Sequence, residues 1–187
     1  MLHLLHDEAN KIIDPELKHQ VLKAIDGAPV DSWKKASARD HHVRDECGEW
    51  GNLIHTVRVV RICNTLADIL ELPPRAKDIL RSAALLHDSC KHGVRAEARF
   101  IYREHPQLVK QLVSKIGVDL FPDVIDAIEQ HMGRWGTVQC DWTAENKITI
   151  PFLLHAADCI EARLTDMTIP KTTSQNSDNQ NGTSRLL

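Results

Sequence analysis

The chain has 187 residues, 42% of them apolar, enough for one domain built around one core. Its 23 basic and 26 acidic residues leave a formal net charge of −3 and are spread along the sequence, which argues against a dedicated basic face for duplex nucleic acid. A small phosphorylated substrate is not excluded, because a bound metal supplies positive charge locally.

In chain order, the opening MLHLLHDEANK becomes charged too early for a secretory apolar stretch. Pro15 opens a helix carrying Leu17, Val21, Leu22 and Ile25, closed by Gly27. Residues 52–71 repeat apolar side chains at helical spacing through Leu53, Val57, Val60, Cys63 or Asn64, Ala67 and Leu70. Pro73-Pro74 stops that helix and starts another, in which Ile79, Ala83, Leu86 and His87 share a face, ending by Gly93. A further helical segment is expected from about Arg95 to Glu104. Pro106 then begins one that runs to Ile116 and Gly117. Pro122 starts 122–132, with Val124, Ile125, Ile128 and His131, and Pro151 starts 151–166, with Leu154, Asp158 and Ala162 aligned. The best strand candidate, Lys147–Ile150 (KITI), is short, so the expected class is all-α, a compact bundle of six to eight helices. From Thr172 the chain is polar and cannot repay its ordering entropy by burial. The reading is therefore an N-terminal helical extension at 1–37, a main domain at 38–168 and a disordered tail at 169–187. No internal repeat is present, and no run approaches the roughly 18 apolar residues of a membrane span.

Eleven histidines are the informative excess, since His is the commonest transition-metal ligand. His3, His6 and His19 read as surface decoration. Five cysteines, at 47, 63, 90, 140 and 159, form no CxxC pair, and buried reduced thiols are expected rather than a zinc ribbon or a disulfide framework. A cytoplasmic location follows as an expectation.

His55, His87, Asp88, His105, His131 and Asp158 fall on separate helices, most of them at helix ends, where side chains converge easily in a bundle. Adjacent helical residues point about 100° apart, so His87 can hold one metal while Asp88 bridges towards a second. A mixed His and carboxylate set suits Mn, Fe, Co, Ni or Zn better than Mg or Ca. A lone buried His is more often a hydrogen-bonded core residue than a ligand; it is the ordered set of six that argues for metal.

These residues resemble the HD-domain metal-dependent phosphohydrolases. AALLHDSCKHG resembles the family's defining His-Asp motif, NLIHTVRV its first motif and LLHAADCIEAR its last. His105 in EHP and His131 in EQHMGRWG match the extra ligands of two-metal members, and the likeness covers roughly 38–166, which makes 38–168 an HD-type catalytic domain. KASARDHHVRDECGEWGNLIHT further resembles the entry motif of HD exoribonuclease-like proteins. Here Trp50-Gly51-Asn52 replaces a Gly-Gly step, which leaves His41 and His42 open between a pocket role and a polar loop.

The resemblance implies a pair of divalent ions and a metal-activated water that attacks a phosphomonoester or phosphodiester of a nucleotide-like substrate. It places Asp88, Lys91 and Arg58 in catalysis, with Lys91 binding phosphate or protonating the leaving group. Arg58 is either a phosphate fork or a solvated helix residue. His92 is expected at the surface. His155 either orients Asp158 or sits satisfied in the core, and Trp135 is either a pocket wall or packing. A nucleic-acid polymer is the less favoured substrate. The alternatives are a di-iron oxygenase on the same scaffold, a non-catalytic nucleotide-binding regulatory module, or a helical protein with chance histidines.

Overall fold

The structure, a computed structural model, describes residues 1–37, 45–99, 101–138 and 148–163. His41, His42, Cys140, Lys147 and the tail expected from 169 lie outside the described residues. Within them the regular structure is wholly helical: α1 (His3–Ala9), α2 (Pro15–Gly27), α3 (Val30–Lys34), α4 (Gly51–Ile69), α5 (Pro74–Leu86), α6 (His105–Lys115), α7 (Pro122–Gln130) and α8 (Ile150–Ala162), with a short 3-10 turn at Gly133–Trp135. The all-α expectation holds. None of the helices is long and apolar enough to cross a membrane.

Proline sits in the first turn of α2, α5, α6, α7 and α8, where its missing N–H is no loss and its fixed φ favours the helix. Asp14 caps α2 by accepting from the Glu16 and Leu17 amides, and Thr149 caps α8 by accepting from Phe152.

α5 is the hub, packing against α1, α2, α4, α7 and α8. Its faces bury Ile79, Leu80, Ala83, Ala84, Leu85 and Leu86. The two alanines let neighbouring helices approach closely, since interaxial distance depends on side-chain size at the contact. The end of α5, and with it His87-Asp88, is thereby delivered to the middle of the molecule.

The N-terminal helices share this core: Leu5, Leu17, Val21, Ile25 and Trp33 belong to the same buried cluster as Leu53, Leu85, Ile128 and Leu154. Asp78 of α5 fastens them, its carboxylate accepting from the Ile13 amide at 3.0 Å and the Asp14 amide at 2.9 Å.

Three local expectations are corrected. The described residues between Arg95 and Glu104, which are all but residue 100, form turns, bends and irregular chain and no helix. Gly93 and Ala96 take positive φ, and Lys35 captures the Ala96 and Ala98 carbonyls at 2.6 and 2.7 Å, so a helical ladder cannot form there. In the KITI stretch, Ile148 and Thr149 pair with no strand and Ile150 begins α8. The buried stripe of α8 runs Leu153, Leu154, Ala157 and Glu161, offset from the predicted Leu154, Asp158 and Ala162, which leaves Asp158 at its edge.

Entry to α4 is tight. Trp50 adopts the left-handed region, and a Cβ placed on Gly51 would land on the Glu46 carbonyl, whereas one on Gly48 would meet nothing. Gly51→Ala should therefore displace Glu46 and cost about 1–3 kcal/mol in denaturant unfolding. Gly48→Ala should be close to neutral. Equal effects of the two changes would show that Gly51 is not packed against Glu46.

Candidate metal centre

His87 is the C-cap of α5, His131 the C-cap of α7 and His105 the first residue of α6. Each ring turns Nδ1 onto a carbonyl three residues earlier: Ala84 at 2.8 Å, Ile128 at 2.7 Å and Tyr102 at 2.7 Å. At the ends of α5 and α7 these carbonyls lie in the last helical turn, where the backbone leaves acceptor capacity that a side chain can use. A carbonyl only accepts, so Nδ1 carries the proton and Nε2 presents its lone pair. The Nε2 atoms of His87, His105 and His131 are buried and have no hydrogen-bond partner.

All of these lone pairs aim at Asp88. Its Oδ1 lies 3.0 Å from His105 Nε2 and 4.0 Å from His131 Nε2, and its Oδ2 lies 3.5 Å from His55 Nε2 and 3.6 Å from His87 Nε2. The 3.0 Å approach lacks the alignment of a hydrogen bond, as expected of a lone pair facing a carboxylate. The two oxygens of one carboxylate thus divide four imidazoles into two pairs. Asp158 completes the first pair, with Oδ1 3.2 Å from His55 Nε2. All six residues named from the sequence come together. His55, His87, Asp88, His105 and His131 are buried, while the Asp158 side chain is 22% exposed and marks the solvent side.

Lone pairs facing carboxylates in a desolvated cage repel unless a cation lies between them. The donor set therefore fits a metal, and two overlapping groups, His55/His87/Asp88 and Asp88/His105/His131, are each compact enough to hold one ion. Burial lowers the imidazole of His87 and carries that of His131 down to about 3, with His87 and His105 adding to the effect. Both rings are therefore neutral and available as ligands at ordinary pH. Burial opposes ionisation of Asp88, yet the Lys91 ammonium, ahead of the histidines, holds its carboxyl well below the usual range.

Lys91, itself buried, places Nζ 2.5 Å from Asp88 Oδ2 and 3.2 Å from Ser37 Oγ. Arg58 faces elsewhere. Its guanidinium meets Asp45 at 2.6 and 3.0 Å and Glu46 at 2.6 Å, and reaches Glu161 at 3.9 Å, behind His55 and not towards Asp88. His155 sends Nδ1 to the His131 carbonyl at 2.7 Å and turns Nε2 towards Cys159 Sγ at 3.5 Å, so it braces the turn that carries His131. His92 is buried, with Nε2 3.4 Å from the Ala36 carbonyl, which corrects the surface expectation: the turn after α5 folds under the end of the N-terminal helices. Cys63 and Cys90 are buried thiols as expected, but Cys47 is exposed. His3 and His19 are exposed, and His6 lies 2.8 Å from Asp26.

Sequence reasoning missed three residues around the cage. Asn52, fully buried, donates to the carbonyls of Ser32 and Asp88 at 3.2 and 3.1 Å, tying the His-Asp turn to α4. Glu46 and Glu161, also fully buried, stand behind His55. Glu161 had a legible signal, a carboxylate on the apolar stripe of α8, one turn beyond Asp158. Glu46, in a loop, had none.

A scan against family models matches the HD domain over residues 52–166, which takes in α4 to α8. No curated protein and no solved structure gives a significant match. The match spans more than half of the chain and includes every one of the six converging residues. The chain belongs to the HD-domain family of metal-dependent phosphohydrolases.

Proposed function

We propose that the chain hydrolyses a phosphomonoester or phosphodiester of a small nucleotide-like substrate at a pair of divalent transition-metal ions held by His55, His87, Asp88, His105, His131 and Asp158. The observation that carries this reading is the convergence of the buried, unprotonated Nε2 atoms of His87, His105 and His131 on the two oxygens of Asp88. Bound there, the ions supply Lewis acidity, lowering the pKa of water towards neutrality and neutralising phosphoryl oxygens. Asp88 divides its oxygens between the two histidine pairs. Asp158, the least buried member, marks the side from which substrate enters. Lys91 keeps a cation 2.5 Å from Asp88, placed to pair with a phosphoryl oxygen or to hand a proton to the leaving oxygen. Arg58 serves the site from behind, through its carboxylates.

The nucleotide preference is supported by Trp135. The residue is 44% exposed, and its ring lies 5.6 Å from the His155 ring with the Arg134 guanidinium 4.8 Å from its centroid. His155 stands one turn before Asp158 on α8, so this ring borders the open side of the cage. Arg103 holds the loop in place by donating to the Trp135 carbonyl at 3.1 Å. A base stacking on this ring in place of the Arg134 guanidinium would direct its phosphate towards the cage.

His87→Ala and Asp88→Ala should remove bound metal and cut hydrolysis of nucleotides or artificial phosphodiesters together by roughly 1,000-fold or more, with far-ultraviolet circular dichroism unchanged. Metal-free wild-type protein with full activity would overturn the reading, and bound iron with an oxygen-dependent spectrum would move it to the oxygenase alternative. Lys91→Gln should retain the metal and lower kcat about 100-fold; loss of metal instead would mean that Lys91 only balances charge. Trp135→Ala should raise KM about tenfold for a nucleotide, leaving kcat and the KM of a base-free sugar phosphate unchanged. An equal change for both substrates would exclude base stacking.

A further inference from the structure

Of the four converging histidines, His55 alone lies inside a helix, at the fifth position of α4. The others reach back to carbonyls in turns or at helix ends, whereas the Nδ1 of His55 faces α8. The carbonyls one turn back belong to the helical ladder, and that of Asn52 also accepts the Thr56 hydroxyl at 2.8 Å. The acceptor comes from α8: Glu161 Oε2 lies 2.5 Å from His55 Nδ1, with Glu46 Oε2 at 3.7 Å. Glu161 and Asp158 are one turn apart on α8, so a single helix supplies both the carboxylate in front of His55 and the one behind it. Arg58 provides the cation for this rear group, 2.6 Å from Glu46 and 3.9 Å from Glu161. Glu46, His55 and Glu161 are close enough to hold an ion, but that group already has its counter-charge and its hydrogen bond.

We propose that Glu161 is a positioning residue. By holding the Nδ1–H of His55 it fixes Nε2 towards Asp88 and Asp158, and its charge makes the His55/His87/Asp88 position the tighter of the two, filled before Asp88/His105/His131. A carboxylate behind a ligating imidazole both orients the ring and raises its basicity, whereas a backbone carbonyl does only the first well. The charge count agrees. Among the described residues, Asp158, Asp88, Glu161 and Glu46 surround the first position, with Lys91 and Arg58 beside them, while the second has its share of Asp88. The inference rests on the metal-pair reading above.

The test is a Co(II) titration of the chelator-stripped full chain, followed by visible absorption and by competition with a chromophoric chelator. Wild-type protein should take up Co(II) in two resolved steps. Glu161→Gln keeps the size and an acceptor but not the charge, and should weaken the first step by about 10–100-fold while leaving the second within about threefold. Glu161→Asp, which restores the charge, should recover part of that loss, and His105→Gln should affect the second step alone. Neither step moving in Glu161→Gln, both moving equally, or equal losses in Gln and Asp variants would each overturn the proposal. Metal-free wild-type protein should also show a strongly downfield imidazole N–H proton assignable to His55, a readout independent of whether the variants fold. Its absence would overturn the Glu161 hydrogen bond. If wild-type protein binds no Co(II), the metal-pair reading fails as well; if it binds two ions and Glu161→Gln matches it, only this inference fails.

Discussion

The Asp88 carboxylate is the constraint on which the rest of the structure depends. It is buried among four imidazoles, three of whose Nε2 atoms have no hydrogen-bond partner, with one ammonium against one of its oxygens. Removing so many polar groups from water costs several kcal/mol for an unpaired charge and more than a small domain can concede without compensation. Lys91 compensates part of it, and the arrangement of the remaining lone pairs makes sense only around a cation. The core therefore contains a region that is stable as a binding site and poor as packing, as is usual where function overrides local rules.

The helices meet this demand through their ends. A helix terminus leaves carbonyls unsatisfied, and a histidine at the C-cap can take one with Nδ1 while pointing Nε2 away from the helix. α5 and α7 both do so, and the turn before α6 provides the equivalent carbonyl from Tyr102. Tautomer and ring direction are thus set by the backbone for three of the four rings. His55, inside α4, needs side chains for the same purpose, and two buried glutamates and an arginine gather behind it. Asn52 joins the two halves by binding the Asp88 carbonyl from the start of α4.

Glu46 reaches its place because the loop before α4 folds back until its carbonyl lies over Gly51, leaving no space for a side chain there. The glycine and the left-handed Trp50 before it are therefore part of the site's construction although neither faces Asp88. The N-terminal helices contribute differently. They complete the core around α5 and are held by Asp78, so the hub that carries His87-Asp88 is enclosed by helices that lie outside the span of the family match.

What the sequence determined by itself was the helical periodicity, the proline-marked starts and the six side chains that converge, because these are local signals: a 3.6-residue period, a fixed φ, a residue type suited to a metal. It missed what depends on contacts between distant segments. At Ala96 and Ala98, Lys35, some sixty residues earlier, takes carbonyls that a helix would have used. Arg58 turns to Asp45 and Glu46, and His92 is covered by the end of the N-terminal helices, since burial and partner choice are properties of the packed chain. Tertiary structure alone decided that Asp88 lies between two histidine pairs and that Glu161 stands behind one of them, because the separations involved are set by how α4, α5 and α8 pack, and no local pattern encodes that distance.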